Sequence, residues 1–205
     1  MQKTDVSMEE VILEAATRLF VAQGFAATST TQIAREVGCN QALVHYYYRT
    51  KERLFTAIFE KKAWSFTREL LRVGNTDASF DEKIRMRMDA HFEMVKKDPG
   101  LPMLLFSELH RDRKRQEALK EAVSSFNHEA VEQLQSELDA EIEAGRVRPM
   151  QVYELIFLMI SSTVTLFMVR PMLQIVTGVS DEVYDDFVIQ RKAQNVEMIL
   201  NSIRP

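Results

Sequence analysis

Residues 28–54 read TSTTQIAREVGCNQALVHYYYRTKERL, and their spacing predicts two short helices joined by a tight turn. Ser29-Thr30-Thr31-Gln32 has the pattern of a capping box, in which a hydroxyl accepts from a free backbone N–H and the Gln side chain reaches back to the cap. Ile33, Ala34 and Val37 recur at helical spacing, and Gly38 stands where a left-handed residue ends a helix. Cys39 and Asn40 complete the turn, with Cys39 expected in the core and Asn40 as the next N-cap. The second helix then runs from Gln41 to Tyr47, with Gln41, Ala42 and Leu43 pointing outward and Tyr48 turned inward beside Val44.

This layout suits a helix whose first turn enters the major groove of duplex DNA. An amide such as Gln41 can pair there with a base edge, while Ala42 and Leu43 can touch a thymine methyl. The phosphates call for other groups: Thr30 and Thr31 at one helix start, His45, Tyr46 and Tyr47 on the second helix, and Lys51 at the start of the next. Helix N-termini add favourable dipoles, which places Asn40 in the same candidate interface.

Three segments in order, LFVAQGF at 19–25, TTQIAREVG at 30–38 and ALVHYYYRTKERLF at 42–55, resemble the N-terminal domain of the tetracycline-repressor (TetR) family of regulators. The resemblance covers about the first third of the chain. It departs from the usual pattern at Asn40, Leu43 and His45, where the family more often carries Ser, Thr and Tyr. It implies an all-α protein with an N-terminal three-helix helix-turn-helix DNA-binding domain (residues 1–50) and a larger helical effector-binding and dimerisation domain (residues 51–205). It also implies a homodimer whose last two helices form a four-helix bundle with their mates, a pocket among the middle helices, and release from a palindromic operator when a small molecule binds.

Composition agrees with a helical globular chain: of 205 residues, 46% are hydrophobic and 27% charged, with only 6 Gly and 5 Pro. The net charge is -4, yet residues 1–62 hold eight Lys or Arg against seven Asp or Glu. Affinity for DNA must then come from a few placed contacts doubled by dimerisation rather than from bulk charge. The single cysteine and the lack of a signal-like N-terminal segment lead us to expect a cytoplasmic location. The longest apolar run, Leu155 to Val169, is interrupted by Ser161, Ser162, Thr163 and Thr165, and reads as a buried helix with no membrane role.

Along the chain, Val11, Ile12, Ala15, Ala16, Leu19 and Phe20 form the stripe of a first helix ended by Gly24, with Phe25 folding back onto it. A long fourth helix starts near Thr50 and carries Leu54, Phe55, Ile58, Phe59, Phe66 and Leu70 past Trp64. Further helices are expected over 80–97, 101–110, 116–144, 150–169 and 172–176, and after a Ser180 cap. The charged run Arg111 to Arg115 reads as a solvated turn or helix end rather than as a second DNA contact.

The six glycines rule out a dinucleotide loop or a P-loop, and no His follows a Glu at the spacing of a metal-bundle enzyme, so no catalytic residue, metal or cofactor is expected. Two function classes stay open: a ligand-responsive DNA-binding regulator, and a non-catalytic helical adaptor that uses the helix-turn-helix for protein contacts. For the first, Met88, Phe92, Met103, Phe106, Phe126 and Met159 form a candidate apolar wall, with His91, Asn127, His128 and Ser162 as polar anchors.

Overall fold

A computed structural model describes residues 7–205, and every regular element among them is a helix. The ten are α1 (Met8–Ala27), α2 (Thr30–Val37), α3 (Gln41–Tyr48), α4 (Lys51–Gly74), α5 (Phe80–Lys97), α6 (Leu101–Arg111), α7 (Arg113–Glu143), α8 (Val152–Met168), α9 (Arg170–Thr177) and α10 (Asp181–Ile203). They form two compact units. The first comprises the chain up to Ala63 together with Met103–Ser125, and the second comprises Trp64–Pro102 with Phe126–Pro205. The division by packing therefore falls well past the role boundary expected at residue 50, and α4 and α7 each contribute to both units.

In the first unit α1 packs on α2 and α2 on α3. Ile12, Ala15, Ala16, Phe20, Ile33, Val44, Leu54, Phe55 and Ile58 are fully buried there. Gly24 (φ 85°, ψ 162°) kinks α1 in a conformation that side-chain-bearing residues avoid, and the kink turns Phe25 inward. Phe25 then meets Phe20 at 5.4 Å and Phe55 at 5.3 Å, ring centre to ring centre, and Phe55 meets Phe59 at 4.9 Å. Truncating one such ring to Ala typically costs about 3–5 kcal/mol. Thr28, also buried, closes the kink by donating from its hydroxyl to the Gly24 carbonyl at 2.9 Å.

The second unit is built on α5, α8 and α10, which pack mutually. Ile84, Met88, Leu155, Met159, Val196, Ile199, Leu200 and Ile203 share one core cluster with Leu134 and Leu138 of α7. A smaller cluster holds Phe92, Leu166, Tyr184 and Val188, where the Tyr184 hydroxyl donates to the Leu166 carbonyl at 2.8 Å. Arg87, 2% exposed, crosses to Glu137 at 2.7 Å, and Lys83 reaches the same carboxylate at 3.4 Å. A charge buried this deeply persists only when paired, so α5 and α7 are locked in register.

Helix α8 is apolar nearly all round, as expected, but only one side is covered. Leu155, Met159, Thr163 and Leu166 are buried, whereas Tyr153 (69%) and Phe157 (68%) are open and Ile160 is exposed with them at i, i+4 and i+7. Among the described residues no single helix is long and apolar enough to cross a membrane; α8 and α9 together meet the length but are bent by 54°. Cys39 is half-buried rather than in the core, because Gly38 in the left-handed region carries the chain outward at that point.

Candidate nucleic-acid interface and effector site

The turn between α2 and α3 is built as its residue types dictate. The Ser29 hydroxyl accepts from the Gln32 backbone N–H at 3.2 Å while Gln32 Oε1 accepts from the Ser29 N–H at 2.8 Å, closing the capping box. Gly38 (φ 76°, ψ 28°) ends α2, and the Asn40 side chain accepts from the Ala42 N–H at 2.9 Å to start α3. Val44 and Tyr48 anchor α3 from beneath, and the Tyr48 hydroxyl donates to the Glu9 carbonyl at 3.3 Å. Burial pushes the Tyr48 phenol up to about 12, so it stays a neutral core group.

What α3 leaves exposed is a ridge of Ala42, His45, Tyr46 and Tyr47, with Tyr46 78% exposed and its ring edge-on to Tyr47 at 5.3 Å. Thr31 and Asn40 are exposed beside the turn, while Thr30, Gln41 and Leu43 are half-buried. Gln41 does not point freely outward. Its Nε2 donates to the Thr30 hydroxyl at 3.0 Å and lies 3.2 Å from His45 Nε2, while His45 Nδ1 sits 2.9 Å from the Arg49 carbonyl oxygen. Lys51 is also engaged: its ammonium donates to the carbonyls of Phe25 and Thr28, both at 2.9 Å, and stands 4.2 Å from the Phe25 ring centre. Two of its three N–H groups thus hold the end of α1.

Sequence reading missed Arg115. The residue belongs to the first unit, where it pairs with Glu108 and lies 3.6 Å from Asp112, with its guanidinium carbon 3.8 Å from the Phe25 ring centre. The expected solvated helix end fits the exposed Arg111 at the close of α6 and Arg113 and Lys114 at the start of α7, but not Arg115. Acidic residues three and seven positions before it, on the same helical side, were the available signal.

The ten candidate effector residues are dispersed. Met88 and Met159 meet in the larger core cluster of the second unit, and Phe92 sits in the smaller one. Met103 and Phe106 lie in the first unit and are about half exposed. His128 is exposed and faces Glu132 at 3.5 Å. Phe126 packs edge-on against Trp64 at 5.2 Å, Asn127 accepts from the buried Thr67 hydroxyl, and Ser162 donates to the Met159 carbonyl at 3.1 Å. His91 is 4% exposed, its ring 5.2 Å from that of Phe66, and its Nδ1 has no hydrogen-bond partner. Burial pushes this imidazole down to about 4. Met88, Phe92, Thr163, Leu166, Lys192, Asn195 and Val196 meet along a seam that leaves no room for a water molecule. Among the described residues no cluster of three His, Cys, Asp or Glu is arranged to hold a metal ion.

Residues 12–58 match the model of the bacterial regulatory proteins, tetR family. The fatty acid metabolism regulator protein of Bacillus subtilis (strain 168) is 22% identical over 100 residues, 49% of this chain and 52% of that relative. The chain thus spans about half the length of this curated relative. Among solved structures, a bacterial regulatory protein in the tetR family from Rhodococcus RHA1 has a TM-score of 0.73 at 20% identity, covering 96% of each chain. The transcriptional regulator FadR from Bacillus subtilis in complex with stearoyl-CoA has a TM-score of 0.71 at 16% identity, covering 95% of this chain and 98% of that one. These likenesses extend the shared fold over both units, while the family match itself lies within the first of them.

Proposed function

We propose that the protein is a non-catalytic, cytoplasmic transcriptional regulator that binds a palindromic DNA operator as a homodimer and lets go of it when a small apolar or amphipathic ligand binds. The observation that carries this reading is the α3 ridge: a helix anchored by Val44 and Tyr48 that leaves Ala42, His45, Tyr46 and Tyr47 open at the end of a capped turn. Ala42 and Leu43 meet thymine methyls and Gln41 meets a base edge, while Thr31, Tyr46, Tyr47 and the N-terminus of α3 meet phosphates. In this division of roles residues 1–50 read DNA, and residues 51–205 hold the ligand and the partner copy. The open stripe of Tyr153, Phe157 and Ile160 on α8, with Val183, Phe187 and Met198 on α10, is the surface we assign to the second copy.

The ligand class follows from the apolar clusters of the second unit, which hold Met88, Met159, Phe92 and Leu166, and from the stearoyl-CoA bound by the Bacillus FadR structure. The seam beside Met88 and Phe92 has no room even for a water molecule, so an acyl chain that binds there has to spread α5, α8 and α10. The test is retention by duplex DNA of random sequence across a salt series. A regulator loses affinity steeply as salt rises and is released by stearoyl-CoA, whereas a helical adaptor shows no retention.

A further inference from the structure

The carbonyl oxygen of Arg49 lies 2.9 Å from Nδ1 of His45, and a carbonyl can only accept. Nδ1 therefore carries the proton of the neutral ring, and Nε2 is left with a lone pair. Facing that lone pair at 3.2 Å is the amide nitrogen of Gln41, which also donates to the Thr30 hydroxyl at 3.0 Å. The opposite orientation of the amide would set Oε1 against the imidazole lone pair, two acceptors with no proton between them. Arg49 presents this carbonyl from a positive-φ backbone (φ 57°, ψ -49°), a conformation that residues with a side chain rarely adopt.

We infer that His45 is a specificity-determining residue of the reading helix: through Nε2 it pins the Gln41 amide with its N–H groups inward, so that Gln41 offers the DNA its oxygen alone. This rests on the reading of α3 as a DNA-contacting helix. A free glutamine amide pairs with both N6 and N7 of adenine and selects adenine. An amide whose nitrogen is occupied reads only an amino group, and in the major groove adenine presents one at N6 and cytosine one at N4, while guanine and thymine present acceptors there. The base under Gln41 is then A or C without distinction, and G and T are rejected.

Selection of bound duplexes from a random pool by the full chain tests this. The wild type should return one position per half-site at which A and C together exceed G and T by about tenfold, absent with Gln41→Ala. With His45→Phe the amide is released to pair at both atoms, and A should exceed C there by about tenfold. A nitrogen-15 spectrum of the free protein at about pH 8 should show His45 protonated at Nδ1 and bare at Nε2. Selection of G, or of A alone, by the wild type overturns the assignment, as does an unchanged A-or-C position in the His45→Phe protein or an Nε2-protonated ring. A pool from which the wild type enriches nothing removes the DNA-reading function itself, and this assignment with it.

Discussion

The guanidinium of Arg115 covers the ring of Phe25, 3.8 Å from its centre, and so joins the start of α7 to the kinked end of α1. Phe25 is the same residue whose carbonyl and ring hold Lys51, so one aromatic side chain gathers the ends of three helices. Arg115→Gln removes the ring contact and leaves the buried Glu108 without its partner, and should cost about 2 kcal/mol. Combined with Phe25→Leu in a double-mutant cycle read by urea unfolding, it should return a coupling of about 1 kcal/mol. A coupling indistinguishable from zero would mean that the stacking contributes nothing.

Lys51 is the second test of that junction. Lys51→Met keeps the aliphatic stem but leaves the carbonyls of Phe25 and Thr28 without their donor, and should lower stability by about 1–2 kcal/mol. Because the ammonium is already occupied within the chain, the salt slope of DNA binding should stay unchanged. A slope lowered by about one would show that Lys51 also neutralises a phosphate.

His91 makes stability depend on acid. Its folded value of about 4 lies below the ordinary 6.5 because burial disfavours the charged ring. Between those values the unfolded chain binds a proton that the folded chain refuses, so stability falls as pH drops through this window, by about 3 kcal/mol at most. His91→Phe keeps an apolar ring beside Phe66, removes the unpartnered Nδ1 and should abolish this share of the loss. Denaturant titrations at about pH 7 and about pH 4 on both proteins decide the matter: equal losses would exclude His91 as the cause.

Phe157 and Tyr153 offer the largest open rings on α8. Phe157→Glu should leave the helix intact, since the side chain is 68% exposed, and should turn a particle of twice 23.7 kDa into one of 23.7 kDa in equilibrium sedimentation. A variant that still sediments as the dimer would move the partner surface away from this stripe.

The helix-turn-helix was legible because its signals are local: a capping box, a left-handed Gly38 and an Asn40 cap act within four residues, and each is present. Tyr48 facing inward and Tyr46 outward follow from helical spacing alone. The positions of Gln41, Lys51 and Arg115 were harder to foresee because they depend on partners 11, 26 and 90 residues away in the chain, namely Thr30, Phe25 and again Phe25. The surroundings of the candidate effector residues were hard to foresee for a related reason. Methionine spacing cannot distinguish Met88 and Met159, which fill a core, from Met103, which faces solvent.

The composition of the first unit bears on how the chain can be recombined. Since the head is completed by Met103–Ser125, with Arg115 closing over Phe25, a fragment cut after Ala63 carries an uncovered aromatic face. Grafting residues 1–50 onto the sensing part of another protein would inherit that defect unless the recipient brings its own arginine, or an equivalent lid, to the same ring. The natural cassette for transplanting this unit is thus discontinuous: residues up to Ala63 travel with Met103–Ser125 or they do not travel well.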